Sequence, residues 1–231
     1  MFVESLFTKS LKFNDYLSPP PSTIHHSPST LHPPMTKLIV ATSNPGKLRE
    51  MQAYLSDSAW ELSLKPAELD IDETGDTFAA NASLKASEVA IALNCWTIAD
   101  DSGLQVDALA GAPGIYSARY ANSDKERIDR LLRELSDFPD PQQRQAQFVC
   151  AVAVARPDGT IAAAAEGICR GEILKTPVGV DGFGYDPIFY VPEKQLAFAQ
   201  MSVETKRSIS HRGIALAIVS KKLAQIASNG I

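Results

Sequence analysis

An α/β fold carrying a mixed sheet is the class this sequence predicts, and three observations predict it. Apolar runs of strand length alternate with longer segments whose apolar residues recur at helical spacing. Two of those runs, 147–155 and 160–170, are joined by Arg156-Pro-Asp-Gly159, a turn with Pro early and Asp-Gly closing, so their pairing is antiparallel. The chain has 231 residues, 45% hydrophobic and 21% charged, as expected of a globular protein, and no apolar run approaches a membrane span.

Residues 1–34 stand apart from the rest. They hold six of the fifteen prolines and three of the four histidines, and their two acids and two lysines cancel. So many prolines remove donors and restrict φ, so the segment is expected to be a disordered arm, and Met35 an alternative start. It lacks the basic start and apolar centre of a secretory signal and the arginines of a transit peptide. Residues 35–231 contain no linker and no repeat and are expected to form one domain.

Within that domain Lys37–Ala41 reads as a buried strand, and 48–55 as a helix. Trp60–Leu64 suits a short strand. Residues 77–94 suit a long helix that buries Phe78, Ala82, Ala86, Val89, Ala90 and Leu93 on one face. Two short strands follow, 96–99 and 104–107. The next helix, 124–135, turns Ile128, Leu131, Leu132 and Leu135 inward. After the hairpin, 210–228 is the closing helix, with Ser210 as its N-cap.

Net charge is −5, which excludes a global basic field for nucleic acid. A polyanion must then be held by local cations, amides or metal ions. Cys95, Cys150 and Cys169 fit no zinc pattern, and their odd number points to a reducing compartment with buried thiols.

Several stretches carry chemistry. Ala41-Thr-Ser-Asn-Pro-Gly-Lys47 lies between a strand and a helix. It is not a Walker A loop, because Ala41 stands where the first Gly belongs and Leu48 where the hydroxyl belongs. Free amides at a helix start, the side chains of Ser43 and Asn44, and the Lys47 ammonium suit an anion; the same residues also make an ordinary capped turn. In Ile98-Ala-Asp-Asp-Ser-Gly103, Asp100 and Asp101 sit where a buried strand is expected to end. Such a pair either binds a cation or forms a polar turn. If the strand instead continued, the two would face opposite sides. Asp72 and Glu73 could complete a metal site with Asp101, or be charges near a helix start. Asn81 and Lys85 share one helix face. Arg119, in a Gly/Pro-punctuated loop, is either a phosphate clamp or part of a packed loop. In Gly182-Phe-Gly-Tyr-Asp-Pro187 an aromatic stands between glycines, as for stacking on a base or as in a bulge and turn. Lys206, Arg207, His211 and Arg212 crowd the expected start of the last helix, against its dipole. This suits a carbonyl-rich or anionic ligand, or a solvated basic face.

Taken together, TSNPGK (42–47), DETGDTF with NASLKA (72–86), ADDSGL (99–104), GAPGIYSARYA (111–121), GFGYDP (182–187) and SISHRG (208–213) resemble, in order, the inosine/xanthosine triphosphate pyrophosphatase family. The resemblance implies an elongated α/β fold with a long mixed sheet and a cleft between two lobes. It implies a cytoplasmic homodimer that uses Mg²⁺ to hydrolyse ITP, dITP and XTP to the monophosphate and pyrophosphate. Carried over by position, Thr42, Ser43, Asn44, Pro45, Gly46 and Lys47 would bind the triphosphate. Asp101 would be metal ligand and proton acceptor, with Ser102 beside it on the substrate. Phe183, Gly184, Tyr185, Asp186, Lys206, His211 and Arg212 would hold the nucleotide and base. Where bacterial relatives usually have Glu-Glu-Thr-Gly this chain has Asp72-Glu-Thr-Gly, so either Asp72 or Glu73 would reach the metal. Two alternatives are a house-cleaning pyrophosphatase for other modified nucleotides and a nucleotide sensor without turnover. A 6-oxo-reading His-Arg pair opposes the first, and paired carboxylates the second.

Overall fold

The computed structural model describes residues 36–55 and 58–230; the expected arm lies outside the described residues. Seven strands form one mixed sheet: β1 (Thr36–Val40), β2 (Trp60–Leu64), β3 (Trp96–Val106), β4 (Gln145–Ala155), β5 (Ile161–Ile173), β6 (Phe189–Val191) and β7 (Leu196–Ala197). Their spatial order is β2-β1-β3-β4-β5-β6-β7. β1 runs parallel to β2 and β3, and every later pairing is antiparallel.

Among the described residues five α-helices flank the sheet: α1 (Pro45–Leu55), α2 (Phe78–Leu93), α3 (Asp124–Glu134), α4 (Val203–Ile209) and α5 (His211–Ser228). The alternation of β3 sorts them. Ile98 faces a core made with Met51 and Leu55 of α1 and with Leu216, Val219 and Leu223 of α5. Ala99 faces the opposite core, made with Ala82, Ala86 and Val89 of α2. Further along, Leu104 and Val106 join Ile128 and Leu131 of α3 in a third core. Burial of such side chains, about 25 cal/mol per Å² of apolar surface, holds each helix to its face.

Three expectations change. The two short strands at 96–99 and 104–107 are one continuous strand, β3, so Asp-Asp-Ser-Gly is not a turn. It is β1 that stops at that level, since its pairing with β3 ends at Val40↔Ile98. The next bridge along that edge of β3 is Gln105↔Pro113, which leaves a notch beside residues 99–103. Second, α1 starts at Pro45, so Gly46 and Lys47 belong to its first turn, and proline suits that first position. Third, a seven-residue helix, α4, precedes the closing one. It is too short for a periodic apolar signal. Ser210 ends it and, through Oγ accepting from Gly213 N at 3.1 Å, caps α5.

The start of α5 lies directly on β5. A Cβ added at Gly167 would collide with the His211 carbonyl oxygen and lie 2.7 Å from Ala215 N. Gly167→Ala must therefore push α5 off the sheet. It is expected to lower stability by about 1–3 kcal/mol, read as a drop in the denaturation midpoint. An unchanged midpoint would show that α5 is not seated as closely as described.

Candidate active site

The notch beside β3 brings the charged motifs together, on two faces. Asp100, wholly buried, faces α1 and α5. Its Oδ2 accepts from Lys47 Nζ at 3.0 Å and from Arg212 Nε at 3.2 Å. Burial alone would raise its pKa, but Lys47, Arg212 and Lys85 overcome this and hold the carboxyl well below the usual range. Oδ1 is buried without a partner. Arg212 is also almost wholly buried and is held at three further points: Nη1 to Glu50 Oε2 at 2.6 Å, Nη2 to Ser102 Oγ at 2.7 Å, and its guanidinium 5.8 Å from the Phe183 ring. Donors remain on both terminal nitrogens.

Asp101 points through the sheet to the α2 face. Asn81 Nδ2 donates to its Oδ2 at 3.1 Å, and Ser102 N to its Oδ1 at 2.9 Å. Asn81 Oδ1 meanwhile accepts from Gly75 N at 2.8 Å, which ties the acidic segment to Asp101. Lys85 Nζ lies 2.5 Å from Glu73 Oε1 and 3.8 Å from Asp101 Oδ1, so two carboxylates already share one cation. Burial, opposed by Lys85 and assisted by Glu73, pushes the Asp101 carboxyl up. Ser102 is not on this side; it sits with Arg212 on the Asp100 face, as strand alternation requires.

The Thr42–Lys47 turn satisfies itself. Thr42 Oγ1 accepts from Asn44 N at 3.1 Å, and Asn44 Oδ1 accepts from Gly46 N at 2.8 Å and Lys47 N at 3.3 Å. The amides of Gly46 and Lys47, expected to await an anion, are bonded to Asn44. What faces the cleft is the outer surface of the turn, from Ser43 to Lys47.

That cleft has a volume of about 550 Å3 and is also lined by Ser102, Phe183–Asp186, Lys206, His211 and Arg212. A second cleft of about 360 Å3 shares Gly46, Phe183 and Lys206 with it. Gly182 and Gly184 hold φ of +83° and +61°, the left-handed region that glycine alone enters freely, and this presents Phe183. The Phe183 ring lies against α1 at Gly46, where an added Cβ would come within 2.8 Å of it. Lys206 Nζ bonds Asp186 Oδ2 at 2.7 Å and sits 5.1 Å from the Phe183 ring centroid. Tyr185 is mostly a wall: it is buried, and its hydroxyl donates to Ser117 O at 3.0 Å.

The crowding of cations at the last helix has a physical resolution. Lys206 and Arg207 belong to the last turn of α4, where the dipole favours them. Arg212 is offset by Asp100 and Glu50. His211 is neutral, because burial and then Arg212 and Lys206 lower its pKa well below the ordinary value. It stacks on Phe148 with ring centroids 4.6 Å apart, and its Nδ1 is buried without a partner. It therefore offers one donor and one acceptor rather than two donors.

Asp72 falls elsewhere, whereas Arg119 joins the Asp101 side through Glu73. Asp72 is exposed, and Arg119 pairs with Glu73 at 3.1 Å. Among the described residues no three His, Cys, Asp or Glu side chains converge as a metal cage. Only Glu73 approaches Asp101, through Lys85. Glu50, which also approaches Lys206 at 3.4 Å, escaped the sequence reading, though its place three residues after Lys47 on one helix face was a usable signal. Phe148 left no signal, being one residue of the continuous apolar run 148–155.

A mixed α/β sheet with a strand-end notch, a turn that carries Lys47 and an aromatic presented between glycines defines an α/β protein with a polar cleft beside its sheet. The chain belongs to the Ham1 family, whose model matches residues 38–222. It is similar to a dITP/XTP pyrophosphatase of Nostoc sp. (strain PCC 7120), 67% identical over 84% of this chain and 98% of that one. A dITP/XTP pyrophosphatase of Synechocystis sp. (strain PCC 6803) is 58% identical over 78% of this chain and 91% of that one. Among solved structures, a HAM1 protein from Coxiella burnetii matches with a TM-score of 0.76 and 39% identity, covering 83% of this chain and all of that one.

Proposed function

We propose that this protein hydrolyses the non-standard purine nucleoside triphosphates ITP, dITP and XTP to the monophosphate and pyrophosphate. The observation that carries this reading is the pairing of Lys47 and Arg212 on one buried carboxylate, Asp100, beside Phe183 in one cleft. The similarity to dITP/XTP pyrophosphatases supports the substrate class.

In this reading the ring of Phe183 stacks on the base, and Lys47 neutralises phosphate charge. Asp101, whose two oxygens are oriented by Asn81 Nδ2 and Ser102 N, accepts a proton from the attacking water. Arg212 and the single His211 donor meet a 6-oxo acceptor. Adenine would set its 6-amino donor against them and leave buried groups unpaired. Guanine shares the 6-oxo group, so this pair of residues does not by itself reject it.

A divalent cation fits the oxygens available. Asp101 and Glu73 are hard carboxylate donors that already converge on one ammonium, and Mg²⁺ commonly takes one or two carboxylates plus phosphate oxygens. When bound, it would neutralise charge building on departing pyrophosphate. We further propose that the active unit is the cytoplasmic homodimer that the family resemblance implies. The three free cysteines, two of them buried, suit a reducing compartment, and no described helix is long and apolar enough to cross a membrane.

The test is pyrophosphate release with Mg²⁺ from ITP, dITP, XTP, ATP and GTP. Turnover of the first three with little on ATP or GTP is expected, and none without the metal. Equal turnover of all five would replace this reading with a general triphosphate pyrophosphatase. Binding of ITP without turnover would favour a sensor.

A further inference from the structure

We infer that Asp124, on the first turn of α3, is a positioning residue for Phe183 and thereby tunes affinity for the base-bearing part of the ligand. The inference rests on the reading that Phe183 stacks on that base.

The loop needs such a device. With glycines in the left-handed region on either side, the backbone at Phe183 is not held by local sterics. Instead two successive amides are each captured by a carboxylate. Phe183 N donates to Asp186 Oδ2 at 2.8 Å, within the loop itself. Gly184 N donates to Asp124 Oδ2 at 2.7 Å, from an element sixty residues away in sequence. A hydrogen bond to a charged acceptor is among the stronger kinds, and this one fixes the loop to the first turn of α3.

Asp124 is itself oriented. Its Oδ1 accepts from Arg127 Nη1, and Arg127 Nε donates to Ala121 O at 3.1 Å. Nor is its carboxylate needed to start the helix. Ser123 is the N-cap, its Oγ accepting from Glu126 N at 3.2 Å. The Asp124 side chain is about half exposed and fills no core position. What it holds is the loop. Because Phe183 lines both neighbouring clefts, releasing Gly184 N shifts the ring relative to each.

The experiment compares Asp124→Ala and Asp124→Asn with Phe183→Ala, all in the full chain. It measures kcat and KM for ITP and inhibition by tripolyphosphate, which has no base. Asp124→Ala is expected to raise the KM for ITP about tenfold, the cost of one charge-assisted bond, with a smaller change in kcat. Tripolyphosphate inhibition should not weaken, since the carboxylate also lines the cleft and repels polyanions, and Asp124→Asn, which keeps one acceptor for Gly184 N but neither the charge nor the second acceptor, should recover part of the loss. Phe183→Ala should show the same selectivity, more strongly. Equal weakening of ITP and tripolyphosphate by Asp124→Ala, or no effect on either, would overturn the inference. If Phe183→Ala is selective and Asp124→Ala is not, the inference alone falls. If Phe183→Ala is not selective, the stacking reading falls and this inference with it.

Discussion

Asp101→Asn is expected to lower kcat for ITP by about 10²–10⁴-fold while leaving ITP affinity within a few-fold of the original. The substitution is nearly isosteric and removes the charge and the basic oxygen. Both oxygens of Asp101 are positioned by donors, Asn81 Nδ2 and Ser102 N, so its orientation is set by the fold. The binding cations Lys47 and Arg212 are instead paired with Asp100, on the other face of β3. Turnover by mass spectrometry and binding by calorimetry check the two halves separately. A variant that keeps kcat within tenfold would remove Asp101 from the chemistry. One that loses binding as well would make it part of the grip.

The second large effect is on stability. Asp100→Ala leaves the buried Arg212 guanidinium and the largely buried Lys47 ammonium without their shared counter-charge. Removing one partner of a buried ion pair costs about 3–5 kcal/mol, and Glu50 compensates only on Arg212. Urea denaturation should show the loss, with kcat/KM falling too because both cations drift. The pH dependence has a definite sign. The Asp100 pKa is depressed on folding, so its stabilisation is fully present above the unfolded value of about 3.9 and is lost as pH falls toward the folded one. The gap between wild type and variant should therefore be widest at neutral pH and narrow below about pH 4. A gap that held constant into acid would mean that Asp100 acts through packing rather than charge.

The contrast between these two neighbours shows where sequence reasoning stopped. Adjacent carboxylates are legible as a pair, but their division of labour depends on whether the backbone stays extended through Ser102 and Gly103. Asp-Asp-Ser-Gly interrupts the apolar pattern and looks like a turn. β4 keeps it a strand: ten register pairs run from Thr97↔Ala155 to Val106↔Ala146. The same limit hid α4, and it made four cations look like one unfavourable cluster when they belong to two helix ends and a buried ion-pair network.

By itself the sequence determined the mixed α/β class, the long helices, the hairpin, the Asn-Pro-Gly-Lys turn and the family motifs. Each of these is written in residues close together along the chain, through periodicity, turn chemistry or a short pattern. Only the tertiary structure decided that β1 stops and opens a notch beside Asp100 and Asp101. It alone decided that Glu73 rather than Asp72 approaches Asp101, that His211 is neutral, and that Glu50 and Asp124 reach the site. Those outcomes depend on which distant charges and rings share a desolvated space. In such a space a single partner a few ångströms away changes the protonation, orientation and cost of a side chain, and the local sequence carries no record of that partner.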